Sequence, residues 1–235
     1  MRTLVIIPAY NEAASLPGVI EGLRRNGHED LCVIDDGSTD GTAAVAARLG
    51  VIVLRNPFNL GIGGAVQTGY LWAAEHGYDA AAQFDGDGQH DPACLRPAID
   101  LIARGHDVVI GSRFLDRGGF RSTFWRRVGI RYLSCLLRLR CGAVVTDPTS
   151  GFRVVDRAAI EIFAAHYPSD YPEPEAISLA CHRQLRIVEI AVRMRERKFG
   201  HSSIAGWGTL YYLVKVSLAI LLSAGGARRR ATGPA

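Results

Sequence analysis

The chain has 235 residues, 48% of them hydrophobic and 21% charged, with a formal net charge of +4. That length and balance exclude a disordered or fibrous chain and suit one large globular domain or two small ones. The charge is uneven, with 7 basic against 14 acidic side chains in residues 1–112 and 20 against 9 in residues 113–235, so the two halves point to different partners, the second to an anionic one.

In chain order, Leu4–Ile7 reads as a buried strand, too short for a signal peptide and stopped by Pro8. Ala13–Arg25 carries Leu16, Val19, Ile20 and Leu23 at helical spacing. A strand Leu31–Ile34 follows and ends in Asp35-Asp36-Gly37-Ser38-Thr39-Asp40. Next come a helix Ala43–Leu49, a strand Val51–Leu54, a loop Arg55–Gly63 and a helix over Gly64–Glu75. An apolar run then leads into Phe84, with a helix after Pro92 and a strand Asp107–Ile110. Repeated strand–helix units predict an α/β fold, a mostly parallel sheet flanked by helices, which binds ligands at the carboxyl ends of its strands. Pro8–Glu12, Asp35–Asp40 and Asp85–Asp91 all fall at such ends, and Arg113 follows the strand after them.

Asp85 and Asp87 flank Gly86 at the end of an apolar run. Their hard oxygens suit Mg²⁺ or Mn²⁺ held jointly with a substrate diphosphate. An EF-hand is excluded, because its sixth and twelfth positions would be His90 and Arg96. Gly61 and Gly63 begin a G-x-G pattern whose third position is Val66, which argues against a dinucleotide fingerprint. The loop remains open to nucleotide approach, to a helix N-terminus or to close packing. The five scattered cysteines include no Cys-x-x-Cys, so neither a zinc site nor a disulfide framework is expected, and the thiols read as reduced, as in cytoplasm.

Residues 113–140 hold eight arginines and one acid, Asp116, interleaved with Phe114, Phe120, Phe124, Trp125 and Tyr132. This mixture suits a membrane surface or lipid phosphate. No nucleic-acid-binding signature accompanies it. Asp147–Arg153 and Ser169–Glu175 read as polar, turn-rich loops whose carboxylates are not ranked by sequence alone. Trp207–Ala224 is apolar and reads best as an interfacial helix, with packing on the core or on a partner as alternatives, and Arg228–Arg230 forms a polybasic tail.

Taken together, Pro8-Ala9-Tyr10-Asn11-Glu12, Asp35–Asp40, Asn59-Leu60-Gly61 and Asp85-Gly86-Asp87 resemble the motif series of family-2 glycosyltransferases with the GT-A fold, over residues 3–205. The nearest likeness is to the bacterial branch resembling dolichol-phosphate mannose synthase. The resemblance implies a Rossmann-like nucleotide-binding half and an acceptor half in residues 1–205, with residues 206–235 as the interfacial helix and tail. It implies that Pro8, Ala9, Tyr10, Glu12, Ile34 and Asp36 bind the nucleoside of a UDP- or GDP-sugar, with Gly63 and Gly86 lining the same site. It assigns Asp85, Asp87 and Gln89 to the metal, and Arg113 and Arg197 to donor or acceptor phosphates. Asp147, Asp170 and Glu175 are the base candidates if the acceptor is a hydroxyl.

The expected activity is inverting, metal-dependent transfer to a polyprenyl phosphate at the cytoplasmic membrane face, with room for a membrane protein partner. Transfer to a sugar hydroxyl is the alternative. A sugar-1-phosphate nucleotidyltransferase would open with a glycine-rich signature where Pro8–Glu12 stands, and a non-catalytic nucleotide-binding protein would not need intact metal and donor motifs.

Overall fold

Apolar runs too short for a helix, each stopped by a polar turn, make the strands of the first half. They are β1 (Thr3–Ala9), β2 (Leu31–Asp35), β3 (Ile52–Arg55) and β4 (Ala80–Gln83). The helices between them are α1 (Leu16–Arg25), α2 (Thr42–Arg48) and α3 (Gly61–Glu75). After β4 a single 3₁₀ turn leads into α4 (Leu95–Ala103) and β5 (Val108–Ser112). The remaining elements are α5 (Phe124–Cys141), β6 (Arg153–Asp156), α6 (Arg157–Ala165), α7 (Pro172–His182), β7 (Ile187–Ala191) and α8 (Gly208–Leu222). The computed structural model describes residues 1–116, 124–194 and 208–222.

The strands form one seven-stranded sheet in the order β3-β2-β1-β4-β6-β5-β7. All neighbours are parallel except β6, which runs antiparallel to β4 and β5. The mostly parallel sheet is therefore as expected, and the carboxyl ends of β1, β2, β4 and β5 share one edge. β6 enters that edge by its amino end, which brings Arg153 there.

Strand alternation divides the core into two layers. Leu4, Ile6, Ile34, Ala81 and Ile110 face α3, α5, α6, α7 and α8. Val5, Ile7, Val33, Ala82 and Val109 face α1 and α4. The alanines of β4 leave depth for large rings, and Tyr70, Phe163 and Tyr167 pack there with centroids 5.3–5.4 Å apart.

Two sequence expectations are corrected. Arg153 is the first residue of a buried central strand rather than part of a loop. Glu173 and Glu175 lie in the first turn of α7, not in a turn-rich connection, because Pro172 opens a helix at a position where its missing N–H is not needed. Among the described residues no helix is long and apolar enough to cross a membrane. α8 buries Val216 and Ile220 against the core while Val214, Leu218, Leu221 and Leu222 are exposed.

Candidate functional site

The polar edge is assembled by turns that latch onto one another. Beyond β1, Asn11 adopts a left-handed φ of 56°. Its N–H donates to Ser38 Oγ at 3.0 Å, and its Oδ1 accepts from Thr39 N at 2.9 Å. Glu12 N donates to Thr42 Oγ1 at 2.9 Å. The buried Ser15 hydroxyl lies 2.7 Å from both a Glu12 carboxylate oxygen and the Gly86 carbonyl, tying the β1 turn to the β4 turn. Tyr10 projects outward, 48% exposed, as a ring available for stacking. Pro8, Ala9 and Ile34 are buried in the sheet, with Pro8 paired to Ile34. They shape this edge through backbone, and the Ile34 side chain belongs to the core.

Asp36, expected to face a nucleoside, is occupied by its own chain. One carboxylate oxygen accepts from Asn56 Nδ2 at 2.8 Å and Leu60 N at 2.9 Å, and the other from Gly61 N at 2.9 Å. It therefore caps α3, satisfying N–H groups that a helix start leaves orphaned. Asp35 accepts from Ser38 N at 3.0 Å and sits 3.1 Å from Arg55 Nε. Gly63 is spent on packing: a Cβ there would lie 2.2 Å from the Pro168 carbonyl and 2.3 Å from that of Ser169. Of the three readings left open for the glycine loop, helix initiation and close packing are what the structure displays.

Asp85 and Asp87 emerge just past β4. His90, which the sequence reading passed over, is 3% exposed, and its Nε2 lies 3.0 Å from Asp85 Oδ2. Phe84 and Phe152 clamp its ring at centroid distances of 5.4 and 5.6 Å. Burial would raise the Asp85 carboxyl, but its hydrogen bond to His90 and the charge of Arg113 outweigh it and hold the group below its ordinary value. Gln89 N donates to Asp87 Oδ1 at 2.9 Å, closing the turn. Among the described residues, no group of three or more His, Cys, Asp or Glu side chains gathers as a ligand cage. Two carboxylates, one of them kept ionised by its neighbours, fit a hard divalent ion that takes its remaining ligands from a bound diphosphate and water.

Across the edge stands a buried ion pair. Arg113 and Asp147 are 7% and 0% exposed. Arg113 Nε donates to Asp147 Oδ2 at 2.6 Å and Nη2 to Oδ1 at 2.7 Å, and Nη2 also reaches Thr149 Oγ1 at 2.8 Å. Glu189 of β7 steadies this turn, accepting from Thr146 N at 2.8 Å and Asp147 N at 3.0 Å. Asp147 is thus the partner that orients Arg113, and with both oxygens engaged it is poorly placed to take a proton. Asp170 pairs with Lys215 of α8. Glu175 faces a cavity of about 430 Å³ shared with Gln67, His166 and His182.

A further carboxyl within the influence of these charges is Glu173, which sequence reasoning did not single out. Burial pushes its carboxyl up, against the pull of Arg153 and Arg113, with Asp85 adding to the rise. Arg153 is 1% exposed, and its Nη2 holds the Glu173 carbonyl at 3.0 Å. Gln83, cross-strand partner of Arg153, stands 3.4 Å from the Tyr167 hydroxyl. The proline-led, acid-rich start of α7 was the available signal for Glu173. His90 had none, since nothing in its polar turn marks it for burial. Arg197 lies outside the described residues.

Residues 4–163 match the profile of "Glycosyl transferase family 2". The chain is 30% identical to polyprenol monophosphomannose synthase of Mycolicibacterium smegmatis, covering 92% of this chain and 86% of that protein. It is 34% identical to undecaprenyl-phosphate mannosyltransferase of Micrococcus luteus, covering 88% of each. In fold it is similar to glucosyl-3-phosphoglycerate synthase of Mycobacterium tuberculosis, crystallised with Mn²⁺, uridine diphosphate and glucosyl-3-phosphoglycerate. That likeness has a TM-score of 0.70 at 22% identity, over 94% of this chain and 79% of that one.

Proposed function

Since the chain belongs to glycosyl transferase family 2, we propose that it moves a sugar from a UDP- or GDP-sugar onto a polyprenyl phosphate, with inversion, at the cytoplasmic face of a membrane. The observation that carries this reading is α5. It holds five arginines and no acid, and it packs against α8, whose outward side chains Val214, Leu218 and Leu222 are apolar. A basic helix beside an apolar face suits a lipid phosphate presented from a membrane. The relatives that act on polyprenol and undecaprenyl phosphate support the same reading.

In this proposal the turns beyond β1 and β2 seat the nucleoside, with Tyr10 stacking on the base. Asp85, Asp87 and Gln89 would hold Mg²⁺ or Mn²⁺, which supplies charge neutralisation for the departing nucleoside diphosphate. Arg113, fixed by Asp147, presents its guanidinium to phosphate, and Arg197 is assigned the same task. The acceptor phosphate is already anionic, so its oxygen attacks the anomeric carbon opposite the leaving group without surrendering a proton to a base.

A second reading rests on Glu173. A buried carboxyl raised above its ordinary value is what a sugar-hydroxyl acceptor would use as general base. The deciding experiment offers radiolabelled UDP- and GDP-sugars with undecaprenyl phosphate, free polyprenol or oligosaccharide. Transfer to the lipid phosphate with release of nucleoside diphosphate is expected. Transfer to oligosaccharide alone would promote the second reading, pyrophosphate release would indicate a nucleotidyltransferase, and nucleotide binding without turnover a non-catalytic protein.

A further inference from the structure

The ring of His90 fills a space among aromatic side chains that a phenyl group could fill as well. Phe84 and Phe152 meet it with planes tilted by 57° and 60°, and they meet each other at a centroid distance of 6.3 Å. Phe152 is itself wedged, since a Cβ on Gly111 would lie 2.6 Å from its ring. Of the two nitrogens of His90, Nδ1 is buried without a hydrogen-bond partner, which costs free energy that a phenyl group would not. Nε2 is engaged, 3.0 Å from Asp85 Oδ2. That contact is what an imidazole supplies here and an apolar ring would not. Backbone bounds the same carboxylate: a Cβ on Gly151 would stand 2.8 Å from Asp85 Oδ2 and 3.1 Å from Oδ1. The Asp85 side chain is nevertheless 31% exposed, so the group is tethered and still open to a ligand.

We propose that His90 is a positioning residue: donating from Nε2, it fixes the Asp85 carboxylate in the orientation that meets the divalent cation, while Gly151 leaves the room that orientation needs. The inference rests on the metal site proposed above and assigns the residues that set its geometry. The last torsion of an aspartate is broad and shallow, so a lone carboxylate would have to be ordered each time the cation binds. With Oδ2 held by a ring that its neighbours hold in turn, the plane of the carboxylate is set on folding, and the direction of Oδ1 is set with it. Groups that hydrogen-bond a ligating side chain typically support about 10–100-fold in metal affinity. His90 is 3% exposed and acts through Asp85, without touching donor or acceptor. The chain from Gly111 through Phe152 and His90 to Asp85 also ties the cation side of the sheet edge to β5 and the entry of β6.

The test compares the full-length wild type with His90→Phe, His90→Gln and Gly151→Ala. Electron paramagnetic resonance counts free Mn²⁺ in the presence of UDP, and calorimetry measures UDP affinity in EDTA. His90→Phe keeps the ring packing and loses the donor, so it should weaken Mn²⁺ by about 10–100-fold and leave UDP affinity in EDTA at the wild-type value. His90→Gln, whose amide N–H reaches toward the same oxygen, should recover most of that loss. Gly151→Ala presses a methyl onto the carboxylate with the histidine intact and should weaken Mn²⁺ as well, an arm that stands even where the ring substitution does not fold. Wild-type Mn²⁺ affinity in His90→Phe or in Gly151→Ala, no recovery in His90→Gln, or Mn²⁺ and UDP affinities falling together would each overturn the proposal. A wild type that binds no Mn²⁺ beside UDP would instead remove the metal site itself, and this inference with it.

Discussion

In the N-terminal half, two carboxylates at the sheet edge are held without an arginine partner: Asp36 by Asn56 and two backbone N–H groups, Asp85 by His90. In the C-terminal half the buried carboxylate at that edge, Asp147, is held by the guanidinium group of Arg113. Neutral donors leave a carboxylate's charge in place, whereas an arginine cancels it. One side of the edge therefore stays negative and fit for a cation. The other is neutral where it is buried and positive where α5 surfaces, fit for an anion. The proposed transfer would use both, a cation to accompany the donor and a positive surface for an anionic acceptor.

The largest effect should come from the negative side. Asp87→Ala is expected to lower kcat by about a thousandfold or more, as loss of a charge-stabilising group does, while circular dichroism stays unchanged. Full activity in that variant, or in excess chelator, would end the metal assignment. Next is the buried pair. Asp147→Asn strands the Arg113 charge and should cost about 3–5 kcal/mol in urea unfolding; a loss below the range of surface pairs would mean that the guanidinium is not held as described.

The seam between the halves is tested by Gly63→Ala, which drives a methyl into the Pro168 and Ser169 carbonyls. It should destabilise by about 1–3 kcal/mol, and an unperturbed melting temperature would return Gly63 to a nucleotide role. On the outer face, Leu218→Glu with Leu222→Glu should reduce flotation with anionic liposomes and leave the melting temperature nearly unchanged, since both side chains are exposed. Equal flotation would reassign α8 to a purely structural part.

The smallest effect is at the opposite edge of the sheet. Hydrogen bonds from Arg186 hold the Asp107 carboxyl below its ordinary 3.8. A depressed carboxylate stabilises above the unfolded value and loses that contribution as pH falls through the folded one. The gap in melting temperature between wild type and Asp107→Asn should therefore be a few degrees at neutral pH and close as the solution is acidified below about pH 4. A gap that widens with acid would contradict the pairing.

The same contrast explains what could be read from sequence. β1, β2 and β4 are unbroken apolar runs stopped by acidic turns, so their ends and the carboxylates on them were legible. β6 was not, because Arg153 occupies a position where a buried strand normally has an apolar side chain, and only tertiary partners make that tolerable. Asp36 was found but its role was not, since the donors it caps come 20 to 25 residues later. Asp170, Glu175 and Asp147 looked alike in sequence. Only packing separates a carboxylate paired with Lys215, one lining a cavity and one locked onto Arg113.

The central position of the one antiparallel strand has a consequence for how the chain acquires its shape. β3, β2, β1 and β4 are complete by Gln83, and each finds its neighbours among segments already made. β5 has none until Arg153–Asp156 slots between it and β4. A nascent chain that has not yet supplied those residues exposes the unpaired margin of β4, the kind of surface that recruits other chains. Fragments ending between Ser112 and Phe152 should accordingly aggregate rather than persist as half-molecules, and the late arrival of β6 is the step that commits the two halves to one sheet.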